Sequence, residues 1–201
     1  MQQTLENTTK VSGISRLRFR KGAIAVLMLL LVVLVAGVFF IRAQKISSLK
    51  QAEKTLKTGT ENYNQGKFDK AITSLEKTAK LDPNNPKAHL LLARSYEATG
   101  KLKEAETSYK ASLDADPKQP EALYNLAIIH KTQGKTREAI KELEKAINLN
   151  KDFVAARLIL AELFTQQDDK KKAIEQYKIV IKMKPFGVNL TEIEKKLDVL
   201  E

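Results

Sequence analysis

Residues 22–41, GAIAVLMLLLVVLVAGVFFI, run for 20 positions without a charged side chain. A helix of that length rises about 30 Å, the thickness of a bilayer's hydrocarbon core. It has no polar face to offer water, so the pattern predicts a membrane-spanning helix and not a core helix. After residue 52 the pattern changes to short amphipathic runs. Ala88, Leu92, Ala93 and Tyr96 recur at helical spacing, and so do Ala105, Tyr109, Ser112 and Leu113. Gly100 lies between the two runs, where a residue tolerant of positive φ ends one helix and lets the chain turn back. Asp116-Pro117 closes the second helix, and Pro120 suits the first turn of the next.

This helix-turn-helix unit recurs with a period of 34 residues. QGKFDKAI from Gln65, TGKLKEAE from Thr99, QGKTREAI from Gln133 and QDDKKKAI from Gln167 align without gaps. Gly66, Gly100, Gly134 and Asp168 are therefore equivalent, as are Ala71, Ala105, Ala139 and Ala173. A single hairpin cannot bury its apolar face, so the repeats must stack into a continuous core. After Pro185, Thr191-Glu192-Ile193-Glu194 has the form of a capping box, with Leu197 and Leu200 on one helical face behind it. This predicts a terminal capping helix over 189–201.

With small residues at the eighth and twentieth positions and bulky ones at the fourth, seventh, eleventh and twenty-fourth, the unit resembles the tetratricopeptide repeat. The second copy carries the pattern through His89, Leu92, Ala93, Tyr96, Gly100, Ala105, Tyr109, Ser112 and Pro117. The third has Leu123, Leu126, Ala127, His130, Gly134, Ala139, Leu143 and Ala146, with Lys151 in place of the proline. The fourth keeps Leu160, Ala161, Phe164, Ala173, Tyr177, Val180 and Pro185, with Asp168 at the turn. The first keeps Gly59, Gly66, Ala71, Leu75 and Pro83, but Thr58 and Asn62 stand where a leucine and an aromatic are expected. Its first helix is therefore the least secure. The resemblance implies an all-α fold: an N-terminal transmembrane helix, then a right-handed α-solenoid of four repeats (52–85, 86–119, 120–153, 154–185), then the capping helix. Residues 1–21 read as a basic, irregular tail, and 42–51 as a helical linker.

Charge refines the membrane reading. Arg16, Arg18, Arg20 and Lys21 precede the apolar run, as in a signal peptide. The run exceeds the usual signal core of about 7 to 15 residues, and bulky Val38-Phe39-Phe40-Ile41 follows the small pair Ala36-Gly37, so an uncleaved anchor is expected. Lysines and arginines flank both ends in near balance. The tighter N-terminal cluster and short tail place the N-terminus in the cytoplasm and the repeats outside it, a layout that resembles the N-anchored repeat proteins of bacterial envelopes and implies a bacterial inner membrane. The reverse orientation would resemble an organelle-surface import or chaperone-docking receptor. Of 35 basic and 24 acidic groups, only five and one lie in residues 1–41, so the rest of the chain is also basic. That charge suits acidic lipid headgroups or an acidic partner. Lysines interspersed with glutamates, and no aromatic-basic stacking platform, argue against specific nucleic-acid binding.

Candidate chemistry is sparse. Gly134-Lys135-Thr136 matches the end of a phosphate-binding loop, but that loop needs a glycine where Ile129 stands, so the triplet belongs to the repeat. His89 and His130 occupy buried-stripe positions and read as packing. With no cysteine and no separate carboxylate constellation, neither metal nor cofactor nor catalysis is expected. In the family resembled, the first helices line a concave groove. Mapped here, that face carries Leu56, Lys87, Leu90, Arg94, Glu121, Tyr124, Asn125, Ile128, Lys131, Leu158 and Glu162, with an apolar row at Leu56, Leu90, Tyr124 and Leu158. Some members grip an acidic chaperone C-terminus through lysine, asparagine and arginine. Of that set only Asn125 fits here, so the expected partner is a different protein or peptide, apolar with some acidic character. The apolar row could also be covered by the chain's own C-terminal segment, and self-association stays open.

Overall fold

The computed structural model describes the backbone of residues 2–201 and the side chains of residues 28–201. The described residues form helices only: α1 (Gln2–Asn64), α2 (Phe68–Leu81), α3 (Pro86–Ala98), α4 (Leu102–Ala115), α5 (Pro120–Thr132), α6 (Thr136–Leu149), α7 (Val154–Gln166), α8 (Lys170–Met183) and α9 (Leu190–Leu200). They divide into two compact units, Met1–Lys50 and Gln51–Glu201.

In the first unit, no proline interrupts α1. The side chains of the basic segment and of the first part of the apolar run lie outside the described residues. The helical backbone begins at Gln2, within the segment read as an irregular tail. Residues 28–41 are exposed along their whole length, including Phe39, Phe40 and Ile41. This helix is long and apolar enough to cross a membrane.

The second unit is a solenoid of helical hairpins in which each helix packs on its neighbours in sequence. The turns repeat almost atom for atom. Gly66, Gly100 and Gly134 adopt φ of 69°, 75° and 73°, and the next N–H reaches back to the first helix: Lys67 to the Asn62 carbonyl (2.9 Å), Lys101 to Tyr96 (2.8 Å), Lys135 to His130 (2.8 Å). This is the hydrogen-bonded close of a left-handed helix end. Asp168 takes φ 59° and Asp169 bonds to the Phe164 carbonyl at 2.9 Å, so the one turn without glycine keeps the geometry. Aspartate is among the few other residues that tolerate this region.

Close approach explains the small residues. Ala71, Ala105, Ala139 and Ala173 are fully buried, as are Ala93, Ala127 and Ala161 on the facing helices. In the first hairpin that role falls to Gly59, where an added Cβ would lie 2.7 Å from Leu75 Cγ. Leu75, Tyr109 and Leu143 fill the space opposite and are fully buried, each worth about 1.5–3 kcal/mol in apolar transfer. The weakest-looking helix of the sequence is thus held by local substitutes. Leu56 and Tyr63 pack on Ala71, Ile72 and Leu75, and the Thr78 hydroxyl donates to Thr55 Oγ1 at 2.9 Å.

The capping helix spans Leu190–Leu200, but its cap is not the Thr191 of the capping-box pattern. Asn189 is the N-cap, its side chain accepting from the Glu192 N–H at 3.3 Å, so Thr191 lies inside α9 and not at its start. Asparagine caps as well as threonine, and the register that buries Ile193 and sets Leu197 and Leu200 against the α7–α8 core decides between them.

Candidate functional site

The eleven residues expected to bind a partner all lie on the first helices of the hairpins: the C-terminal end of α1, then α3, α5 and α7. The apolar row is partly committed to the fold. Leu56, Leu90, Tyr124 and Leu158 are half-buried, and each packs against a hydrophobic cluster behind it. Tyr124 also meets Phe153, with ring centroids 5.1 Å apart. The row is therefore a half-open floor, less exposed than the repeat pattern implied. Ile128 is half-buried as well, while Lys87 and Glu121 are exposed at the helix starts.

Polar residues link neighbouring hairpins across this floor. Tyr109, buried beneath it, donates its hydroxyl proton to Glu97 Oε2 at 2.7 Å and accepts from Asn125 Nδ2 at 3.0 Å. Burial, reinforced by Glu97, pushes the phenol above its usual range and keeps it a neutral donor. The one residue that fits the chaperone clamp, Asn125, is thus tied into the wall. Lys131 Nζ donates to Glu162 Oε2 at 2.9 Å, joining the third repeat to the fourth. Arg94 is half-buried and takes part in none of the ion pairs among the described residues.

The repeat pattern missed one part of this face. Beyond Glu162, a cavity of about 590 Å³ opens between α7, α8 and α9, bounded by Thr165, Tyr177, Lys196, Val199 and Leu200. The signal available was α9 itself: an amphipathic helix next in order after α8 extends the row of first helices as well as capping the core. Its inner face covers the end of the core, and the chain's C-terminal segment leaves the apolar row half-open.

Two of the three backbone donors in the glycine-lysine-threonine triplet are already committed to the turn. The Gly134 N–H bonds to the Lys131 carbonyl at 3.0 Å, Lys135 bonds to His130, and Thr136 opens α6. His89 Nε2 lies 2.7 Å from the Pro83 carbonyl and fastens the turn between repeats. His130 does more than pack. It is buried, its Nδ1 lies 2.9 Å from Glu142 Oε2 and its Nε2 3.3 Å from Glu106 Oε1, so it bridges α4, α5 and α6.

The profile of the tetratricopeptide repeat matches residues 62–127 and again residues 124–188. Among solved structures, the crystal structure of MamA protein is similar at 27% identity, covering 75% of this chain and 86% of that one, with a TM-score of 0.65. YrrB, described as a TPR protein with an unusual peptide-binding site, shares 18% identity over 79% of this chain and 80% of its own, at a TM-score of 0.68. The first TPR of Spaghetti, bound to an HSP90 peptide SRMEEVD, shares 22% identity, covers 60% of this chain and 95% of its own, and has a TM-score of 0.56. No curated protein matches the chain.

Proposed function

The chain belongs to the tetratricopeptide repeat family, and from that premise we propose that it is a membrane-anchored, non-catalytic docking module that holds a protein partner in the groove of its first helices. Members of this family are typically scaffolds, and folds like this one hold peptides in YrrB and in the Spaghetti repeat. The observation that carries the reading is the half-open floor of Leu90, Tyr124, Ile128 and Leu158 beside Arg94, a half-buried cation outside every ion pair among the described residues. An apolar segment with a carboxylate would bury its side chains on that floor and neutralise the guanidinium, which forks naturally onto carboxylates.

The anchor is residues 22–41, whose described part offers only apolar surface. The N-terminal basic cluster supports an inner-membrane protein with its repeats outside the cytoplasm, where the groove would collect envelope proteins during assembly or quality control. Two measurements test this reading. A C-terminal reporter active only outside the cytoplasm should be active. Partner capture should be lost in Leu90→Glu plus Tyr124→Glu and weakened in Arg94→Ala, which leaves the apolar floor intact. Capture that survives in a folded double variant sinks the groove assignment.

A further inference from the structure

The four turns that follow the second helices occupy equivalent positions in the repeat, and three share one chemistry. Asp82-Pro83-Asn84, Asp116-Pro117-Lys118 and Asn150-Lys151-Asp152 hold no aromatic or large aliphatic side chain and carry at least one carboxylate or amide. The fourth reads Lys184-Pro185-Phe186, with Lys182 just before it and Gly187 just after. Lysine has replaced the Asp or Asn, and phenylalanine stands where Asn84, Lys118 and Asp152 stand in the others. The backbone differs as well. Lys184 ends α8 in the left-handed region (φ 47°, ψ 52°), whereas Asp82, Asp116 and Asn150 end their helices with φ between −130° and −143°. Gly187 follows at φ 76°, and between them Phe186 is fully exposed.

A ring left wholly in water, preceded by two exposed lysines that form no ion pair among the described residues, has the composition of an interfacial membrane contact. The aromatic enters the boundary between headgroups and acyl chains, and the lysines meet lipid phosphates. The hairpins are antiparallel, with Thr55 bonded to Thr78 and the Ser112 hydroxyl bonded to the Pro86 carbonyl. The turns after the second helices therefore lie at the same end of their hairpins as the starts of the first helices.

We propose that the turn around Phe186 is a second membrane contact, in which Phe186 inserts into an anionic bilayer surface and Lys182 and Lys184 hold lipid phosphates. The proposal rests on the anchoring of residues 22–41. A tether within reach raises the local concentration of bilayer around the turn, so one aromatic and two lysines suffice where a free domain would need more.

The chain has no tryptophan, so Phe186→Trp gives the full-length protein a single emitter at an exposed site. In nanodiscs of phosphatidylcholine with phosphatidylglycerol, its emission should be blue-shifted and quenched by brominated acyl chains. In phosphatidylcholine alone both effects should fall sharply. Adding Lys182→Gln and Lys184→Gln should lower the docking equilibrium constant by about thirtyfold, at roughly 1 kcal/mol for each lysine. A separate Leu31→Trp variant reports the anchor. If Trp at 31 is quenched while Trp at 186 stays red and unquenched in anionic discs, the second contact is refuted, whatever protein may use that ring instead. If Trp at 31 is itself unquenched, the anchoring reading has failed first.

Discussion

Gly134 and Gly59 are both glycines of the repeat, yet they are needed for different reasons. At Gly134 the backbone is left-handed and a Cβ would meet nothing within 4 Å, so the cost of a side chain is conformational alone. Gly134→Val should lose about 1–3 kcal/mol in urea unfolding, and Gly134→Asn clearly less, because Asp168 already occupies the equivalent turn. Gly59 lies inside a helix, where alanine would ordinarily add about 1 kcal/mol of stability. Here the methyl collides with Leu75, which is fully buried and cannot swing away. Gly59→Ala should therefore destabilise by about 1 kcal/mol net, reversing the helix-propensity order. The turn role of Gly134 was legible from periodicity. The packing role of Gly59 was visible only as a small residue in the right place, since the sequence does not say how close Leu75 comes.

Among the helices, the hairpins themselves were readable because glycine turns, proline starts and buried alanines all fall on one period. What escaped the pattern depended on partners far apart in sequence. His130 occupies a stripe position that any bulky residue could fill, and nothing nearby in the sequence reveals that Glu106 and Glu142 close on it from two other helices. Likewise the capping box of α9 was placed two residues late, because Asn189 and Thr191 are both competent caps and tertiary burial of Ile193 chose between them. The three-helix bridge gives a pH prediction. The bond from Lys110, with help from Gln133 and His130, holds the Glu106 carboxyl down at about 2, against an ordinary 4.5. A depressed carboxylate contributes stability above its unfolded value that is lost as pH falls toward the folded one. Between about pH 4.5 and 2 the wild-type should therefore lose stability more steeply than Glu106→Gln. Glu142, raised by burial, works in the opposite sense: its contribution is present below its ordinary value and lost as pH rises through the folded one. Urea midpoints should therefore show Glu106→Gln departing from wild-type between about pH 4.5 and 2, and Glu142→Gln departing in the opposite sense only above about pH 4.5.

For the whole molecule, the proposal gives the apolar segment the work of holding a place and the repeat array that of holding a partner. Both parts were legible in the sequence, one as 20 uncharged residues in a row and the other as a 34-residue period. It overstated how freely the apolar row faces solvent. Leu56, Leu90, Tyr124 and Leu158 each lean back onto the core, which depends on the spacing between neighbouring repeats and not on any one of them. It also left out the cavity at α9, whose walls come from three helices. The groove assignment is tested most directly by photo-crosslinking in intact cells from two single positions, Ile128 on the proposed floor and Thr107 on the exposed side of α4. A discrete adduct should form from Ile128 and weaken clearly on adding Arg94→Ala, with none from Thr107. Equal adducts from both positions, or an Ile128 adduct indifferent to Arg94, would contradict it.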